Sequence, residues 1–388
     1  MAETDLISAA ARLKDWLVEA ALPLWANAAL DPTGGYYEDL TPQGAPRKDQ
    51  IRRVRVQPRQ AYVYAHAAHL GWSDQARAFS DHGFDYLLSK AAFGDPLDPA
   101  SFDGFAHRLH PDGSVADPRL DTYDHAFVLL ACAWRIRAFG DDRSRQVAKA
   151  TLGFLDRECG QPDGSYLEGR PHQGPRRQNP HMHLFEAFMA LFEATGDDAN
   201  LERARRVFAL FQAHFLDTEQ TVLREFFQDD WQLSADKGHL IEPGHMMEWC
   251  WLLDQYEALT GEDMSELIGR LYTAAEPLGL EPQSGFLVDC ISLDPTRPIP
   301  PAQRTWVQTE YIKATLVRAR RGETAFASKA ACLINTLFET YLKSDVPGGY
   351  TDRYGADGEV ISEAMPVSTL YHLMSLGAEA DRTLKALG

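Results

Sequence analysis

Two His-x-x-Glu pairs mark the chain: His183 with Glu186 in Asn179-Pro-His-Met-His-Leu-Phe-Glu-Ala, and His245 with Glu248 in Pro243-Gly-His-Met-Met-Glu-Trp. Residues three apart share one helix face. Each carboxylate can therefore hold an imidazole Nδ1–H, fixing the tautomer and raising the basicity of the other nitrogen. The same pairs could each supply two metal ligands, but the chain has no His-Glu-x-x-His run and the cluster includes no cysteine. Metal-free acid–base work is the preferred reading, with no metal and no cofactor expected. Imidazoles titrate near neutrality, ordinarily at about 6.5. Two of them beside an arginine suit removal of a carbon-bound proton next to a carbonyl, with Arg59 steadying the negative charge of an enediolate. A glycoside hydrolase would want two acids across the scissile bond. Asp124, Glu248 and Glu310 could serve, but the richness in histidine fits that chemistry less well.

Helices must position these groups. Apolar periodicity near 3.6 predicts about a dozen, near 4–30, 57–71, 74–90, 121–139, 141–158, 181–196, 198–216, 243–260, 262–278, 305–321, 323–343 and 366–387. Every second one ends in a glycine before a short polar turn: Gly71, Gly140, Gly196, Gly261, Gly322 and Gly377, at spacings of 69, 56, 65, 61 and 55 residues. So regular a spacing is the mark of a repeat array. Alternate helices such as 181–196 are apolar almost all round, as a doubly covered inner helix should be. Their neighbours, such as 198–216 with Glu202, Arg203, Arg205, Arg206 and Gln212, carry a polar face. A closed toroid fits this better than an open solenoid. The expected fold is all-α, an (α/α)6 barrel of six helical hairpins, with residues 1–388 as one catalytic domain because no low-complexity linker divides them. Links such as Pro111-Asp-Gly-Ser-Val and Pro162-Asp-Gly-Ser-Tyr read as loops carrying short hairpin strands.

The inner helices place polar residues chiefly in their first turns: Arg59 and Gln60; Tyr123, Asp124 and His125; Asn179, His181, His183 and Glu186; His245 and Glu248; Trp306 and Glu310. If the inner helices all run the same way, these groups meet at one mouth of the barrel. His372 lies deeper along the last helix, which either places it nearer a cavity floor or means that the helix starts later than residue 366. A lone histidine on an apolar helix is ordinarily a core residue, but several at one phase of a repeat argue for a site. His181 and Tyr123 read equally well as packing or capping residues, and Arg59 as a salt-bridge partner. An aromatic such as Trp306 at the mouth also suits the apolar face of a sugar ring. His66, His69 and His107 carry no functional assignment.

The totals narrow the partners. At 388 residues, 45% hydrophobic and 24% charged, the chain is an ordinary globular protein with a large core. A net charge of −18 argues against nucleic acid and anionic membranes as partners. It leaves room for a small anionic substrate in a local arginine pocket. The five cysteines are scattered and odd in number, which suits a reducing compartment. No secretory signal opens the chain and no run approaches 18 apolar residues, so a cytoplasmic location is expected. The oligomeric state is left open, a homodimer included.

Taken together, Arg59-Gln60, Asn179-Pro-His-Met-His-Leu-Phe-Glu-Ala, Gly244-His-Met-Met-Glu-Trp and the late His372 resemble the N-acylglucosamine 2-epimerase superfamily, over nearly the whole chain. The resemblance implies an (α/α)6 barrel and cofactor-independent 1,2-proton transfer on a ring-opened sugar. It implies His245 and His372 as the acid–base pair, His245 assisting ring opening and His372 moving the proton between C1 and C2. Arg59, Asn179, His183 and Glu248 match substrate and enediolate contacts, and Tyr123 and Trp306 the pocket wall. The full Asn-Pro-His-Met-His form looks most like the mannose-isomerase branch, which implies D-mannose and D-fructose as substrates. A sugar 2-epimerase would use the same residues. Arg224 and Lys237 are the candidates for a further basic residue that would read an anionic substituent.

Overall fold

A computed structural model describes residues 2–387, which form a closed ring of twelve helices. In chain order these are α1 (2–28), α2 (Val56–His69), α3 (76–91), α4 (Thr122–Phe139), α5 (142–159), α6 (Gln178–Thr195), α7 (198–215), α8 (Pro243–Thr260), α9 (Ser265–Gly279), α10 (Thr305–Arg320), α11 (Thr324–Glu339) and α12 (Leu370–Leu387), the last entered through a 3-10 turn at Val367–Thr369. The even-numbered helices make the inner ring, each packed on the next, and α12 meets α2 to close it. The odd-numbered helices pack outside. This is the (α/α)6 barrel that the periodicity predicts. The division follows from the side chains: α4 is buried almost without interruption from Thr122 to Ala133. In α7 only one stripe (Leu201, Ala204, Val207, Phe208) is buried, and Glu202, Arg205 and Arg206 face water.

Five of the six glycine turns behave as expected. Gly71, Gly140, Gly196, Gly261 and Gly322 take left-handed φ values of +70°, +64°, +68°, +74° and +89°, a region that penalises any Cβ. Gly377 is the exception, because it lies inside α12. A Cβ there would stand 2.1 Å from Leu17 Cδ1, so this glycine permits a close crossing of α12 and α1 and makes no turn. The sixth hairpin is therefore built from the two ends of the chain, with α1 packed on α11 and α12.

Short strands ring the opposite end. The two or three residues just before each inner helix pair with the next link around the barrel: Arg52–Arg53 with Arg108–Leu109, Leu120–Asp121 with Gly169–Arg170, Arg176–Arg177 with Phe226–Phe227, Leu240–Ile241 with Ile291–Ser292, and Gln303–Arg304 with Arg353–Tyr354. The sixth pair, Met365–Pro366 with Asp39–Leu40, joins the last link to the first. All pairs are antiparallel, and together they hold the six inner-helix N-termini at one mouth. Four outer helices carry a π turn near this collar, at Leu17–Ala21, Leu87–Ala91, Leu155–Cys159 and Phe211–Phe215. Each buries its first and last residue, so the wider turn keeps both on the core-facing side. Among the described residues no helix is long and apolar enough to cross a membrane.

Candidate active site

The collar aims the first turns of the inner helices into one cavity of about 180 Å³. All eight residues singled out in the sequence line it: Arg59 from α2, Tyr123 from α4, Asn179 and His183 from α6, His245 and Glu248 from α8, Trp306 from α10, and His372 from α12. Apart from Arg59, they fall, with Ser368 and Glu310, into two tiers about one helical turn apart. Tyr123, Asn179, His245, Trp306 and Ser368 make the outer tier, and His183, Glu248, Glu310 and His372 the inner one. His372 is four residues past Ser368, as His183 is four past Asn179, so it stands level with its counterparts and not beneath them.

The two catalytic candidates sit in contrasting surroundings. His245 Nδ1 lies 3.1 Å from both oxygens of Glu225 and 3.4 Å from Glu242 Oε2. Burial works against its charge, but Glu225 and Glu242 outweigh it and raise His245 to about 10, so the ring is an imidazolium at neutral pH. Its Nε2 is 3.2 Å from the side-chain amide of Asn179, whose Oδ1 has no other partner. With the amide turned so that Oδ1 accepts from Nε2–H, both groups are satisfied.

His372 Nδ1 donates to Glu310 Oε1 over 2.8 Å, and Lys313 Nζ stands 2.6 Å from the other oxygen, Oε2. Both Glu310 and Lys313 are wholly buried. Burial, with the positive charges of Arg59 and Lys313, holds His372 well below the usual imidazole range. The ring is neutral, with its lone pair on Nε2. Trp306 stands between the two imidazoles, its ring centroid 4.9 Å from His245 and 5.7 Å from His372.

His183 is neutral too. Burial lowers it to about 4 against the pull of Glu186, whose Oε2 receives Nδ1–H at 3.3 Å and the Tyr371 hydroxyl at 2.6 Å. Burial and the neighbouring Glu310 push Glu248 well above the carboxylate range, which favours its protonated form, and one of its oxygens is unpartnered. Arg59 donates to the Tyr123 hydroxyl over 2.7 Å and to the Ser368 carbonyl over 3.2 Å, with its guanidinium 4.0 Å above the Phe127 ring. Its Nε has no partner in the protein.

Three groups of these side chains bring possible metal-ligand atoms within 4.8 Å of one another: His183, Glu186 and Glu248; Glu225, Glu242 and His245; and Glu248, Glu310 and His372. Most of the carboxylates already hold a proton donor: Glu186 has Tyr371, Glu225 has Gln178 Nε2 at 2.9 Å, and Glu310 has the Lys313 ammonium. The donor sets are thus arranged for hydrogen bonding.

His181 has a different duty from His183. Its Nε2 accepts the Tyr166 N–H over 3.0 Å and its Nδ1 faces the Arg177 carbonyl. His125 does the same for Phe105, and Gln57 and Gln308 for Tyr36 and Leu287. This is a pinning position of the repeat. Asp124 is tied to His107 at 2.6 Å and Arg55 at 3.3 Å. Of the two basic candidates, Arg224 pairs with Asp217 at 2.7 Å outside the cavity. Lys237 lines an outer vestibule of about 480 Å³ with Arg55, Arg119 and Arg177. That vestibule shares Arg55, Tyr123 and Asn179 with the inner cavity.

Glu225 escaped the sequence reading, although a signal existed. In several links an apolar or aromatic residue is followed two places later by an acid: Tyr36 and Glu38, Tyr166 and Glu168, Leu223 and Glu225, Tyr350 and Asp352. Their carbonyls accept the first N–H groups of α12 or its lead-in turn, α4, α6 and α10 respectively. Glu38 and Glu168 clamp Arg53 and Arg177. Glu225 has an imidazole in that place.

A second cavity, of about 350 Å³, opens at the far end, where the inner helices finish. Its charges are matched: Arg137 with Glu193 at 3.0 Å, Lys385 with Asp381 at 2.7 Å, and Trp251 Nε1 on Glu379 at 3.1 Å.

Fold and pocket together define an (α/α)6-barrel enzyme of the sugar isomerase and 2-epimerase type. Residues 35–376 match the family model described as N-acylglucosamine 2-epimerase, and the chain belongs to this family. It is 34% identical over 400 residues to a mannose-6-phosphate isomerase of Rhizobium meliloti, covering 99% of each chain. It is 33% identical over 342 residues to a D-mannose isomerase of Thermobifida fusca, covering 81% of each. Among solved structures, a cellobiose 2-epimerase of Bacillus thermoamylovorans superposes with a TM-score of 0.85 at 20% identity, over 96% of this chain and 99% of that one.

Proposed function

We propose that this chain is a cofactor-independent aldose–ketose isomerase that interconverts D-mannose and D-fructose, with the ring of helices acting as one catalytic domain. The observation that carries the reading is the pair of imidazoles held in opposite protonation states across one cavity. Environments that drive two titratable groups apart assign the acid and the base. His245 as imidazolium gives its proton to the ring oxygen as the C1–O5 bond breaks, and the proton released from the O1 hydroxyl as C1 becomes an aldehyde recharges the imidazole. Neutral His372 then takes the C2 proton through Nε2 and returns it to C1, while the O2 proton passes to O1. Arg59 stabilises the enediolate between these steps, supported by its place against Tyr123 and by the converging helix N-termini. Asn179, His183 and the neutral Glu248 offer hydrogen bonds to the sugar hydroxyls, and Trp306 offers its face to the ring.

A hydrolase would need a free pair of acids. Asp124 is held by His107 and Arg55 and Glu310 by Lys313, which leaves Glu248 without an acid partner. A phosphorylated substrate is the second reading. The vestibule cations Arg119, Arg177 and Lys237 favour it, as does the name of the Rhizobium meliloti relative. The unpaired cysteines, three of them buried, suit a cytoplasmic location.

Proton NMR of the protein with D-mannose in D2O and EDTA tests the proposal. Fructose carrying deuterium is the expected product. Glucose alone would make the enzyme a 2-epimerase using the same residues. Turnover of mannose 6-phosphate with none of mannose would favour the second reading, and no change in either sugar would overturn both substrates.

A further inference from the structure

The acid and the base are built from the same parts. Each is a buried histidine whose Nδ1 faces a buried glutamate from another segment: Glu225 for His245, and Glu310 for His372. A carboxylate beside an imidazole favours the charged ring, so the pairing alone would make both histidines imidazolium. Two differences separate them: His245 Nδ1 also faces a second carboxylate, Glu242 Oε2 at 3.4 Å, and the two paired glutamates are answered by different groups. Glu225 is answered by a neutral amide, Gln178 Nε2. Glu310 is answered by a cation, Lys313, three residues on along α10 and wholly buried with it. The ammonium also lies 3.7 Å from the centroid of the Trp251 ring, which gives it a second stabilising contact.

We propose that Lys313 is a positioning residue that assigns the base: by neutralising Glu310 it leaves His372 uncharged, while His245, facing Glu225 and Glu242 with no such cation beside them, is left charged. The proposal rests on the reading of His372 as the base. The other charged or titratable groups around His372 are Arg59 on α2, His183 and Glu186 on α6, His245 and Glu248 on α8, and Glu310 on its own side of α10. A change at Lys313 leaves all of them in place.

Nitrogen NMR of histidine-labelled protein reads the ring charges directly and needs no substrate. In the wild type His372 should be neutral and His245 doubly protonated across about pH 6 to 9. In Lys313→Met the His372 signal should titrate about 1–3 pH units higher, the shift an opposite charge within hydrogen-bonding distance produces. The acidic limb of kcat should move up with it while KM holds, and Lys313→Arg should restore both. A folded Lys313→Met protein with an unmoved His372 signal would overturn the proposal. A charged His372 in the wild type would do the same, and that result stands even if Lys313→Met does not fold. If the NMR shifts appear but the protein turns over none of the sugars, the proposal on charge holds and the substrate reading fails.

Discussion

The barrel has two ends, and they spend their polar groups differently. The far end holds one cavity of about 350 Å³, while the mouth holds the inner cavity of about 180 Å³ and, opening onto it, the vestibule of about 480 Å³. Its charges cancel in neighbouring pairs, such as Arg137 with Glu193 and Lys385 with Asp381. At the mouth, Arg59 Nε and Glu248 Oε1 are buried without partners, and the imidazoles there are displaced in both directions from their ordinary range. Buried unpaired polar atoms are costly, and a fold tolerates them where a ligand completes them. The lesson is that the far end pairs its charges, whereas the mouth keeps imidazoles held apart in their protonation. Helix polarity adds to it, because six N-termini at the mouth favour developing negative charge.

The sharpest way to break this comparison is to truncate the proton carriers. His372→Ala and His245→Ala should each lower kcat by about 10²–10⁴-fold; near wild-type fructose formation in both would remove the mouth from the mechanism. A smaller effect is expected at Glu225→Gln, which keeps shape and removes charge. The wild-type kcat should fall as pH rises through about 10, where His245 gives up its proton. In the variant that limb should move down by about 1–3 units. Stability follows the same group. His245 is raised above its unfolded value, so its contribution is fully present below about pH 6.5 and is lost as pH climbs toward the folded value of about 10. Urea midpoints measured across that range should decline in the wild type and stay flatter in Glu225→Gln. The smallest catalytic change belongs to the far end. Trp134→Ala, which removes a ring stacked 3.6 Å from the His66 centroid, should cost about 2 kcal/mol of stability. It should leave kcat within about twofold; a large fall in kcat would mean the two ends are coupled.

Much of this was legible in the sequence because it is local. Periodicity and the turn glycines place the helices, and helix phase brings Arg59, Tyr123, Asn179, His183, His245, Glu248, Trp306 and His372 to one cavity. What escaped depends on contacts between distant segments. Gly377 looks like a turn residue until Leu17, from the other end of the chain, is packed against it. Glu225 sits in a link 20 residues before its histidine, and no helical spacing joins the two. His181 and His183 are equally histidine in the sequence, and only the Tyr166 backbone separates the pin from the pocket residue. Arg224 and Lys237 looked alike as well, until Asp217 claimed one of them.

The seam between Asp39–Leu40 and Met365–Pro366 bears on how the enzyme is made. A ribosome delivers the first half of that seam long before the second. Until residues 365–387 emerge, the nascent barrel lacks both its closing stave and His372. Closure of the ring and delivery of His372 to the cavity thus arrive together.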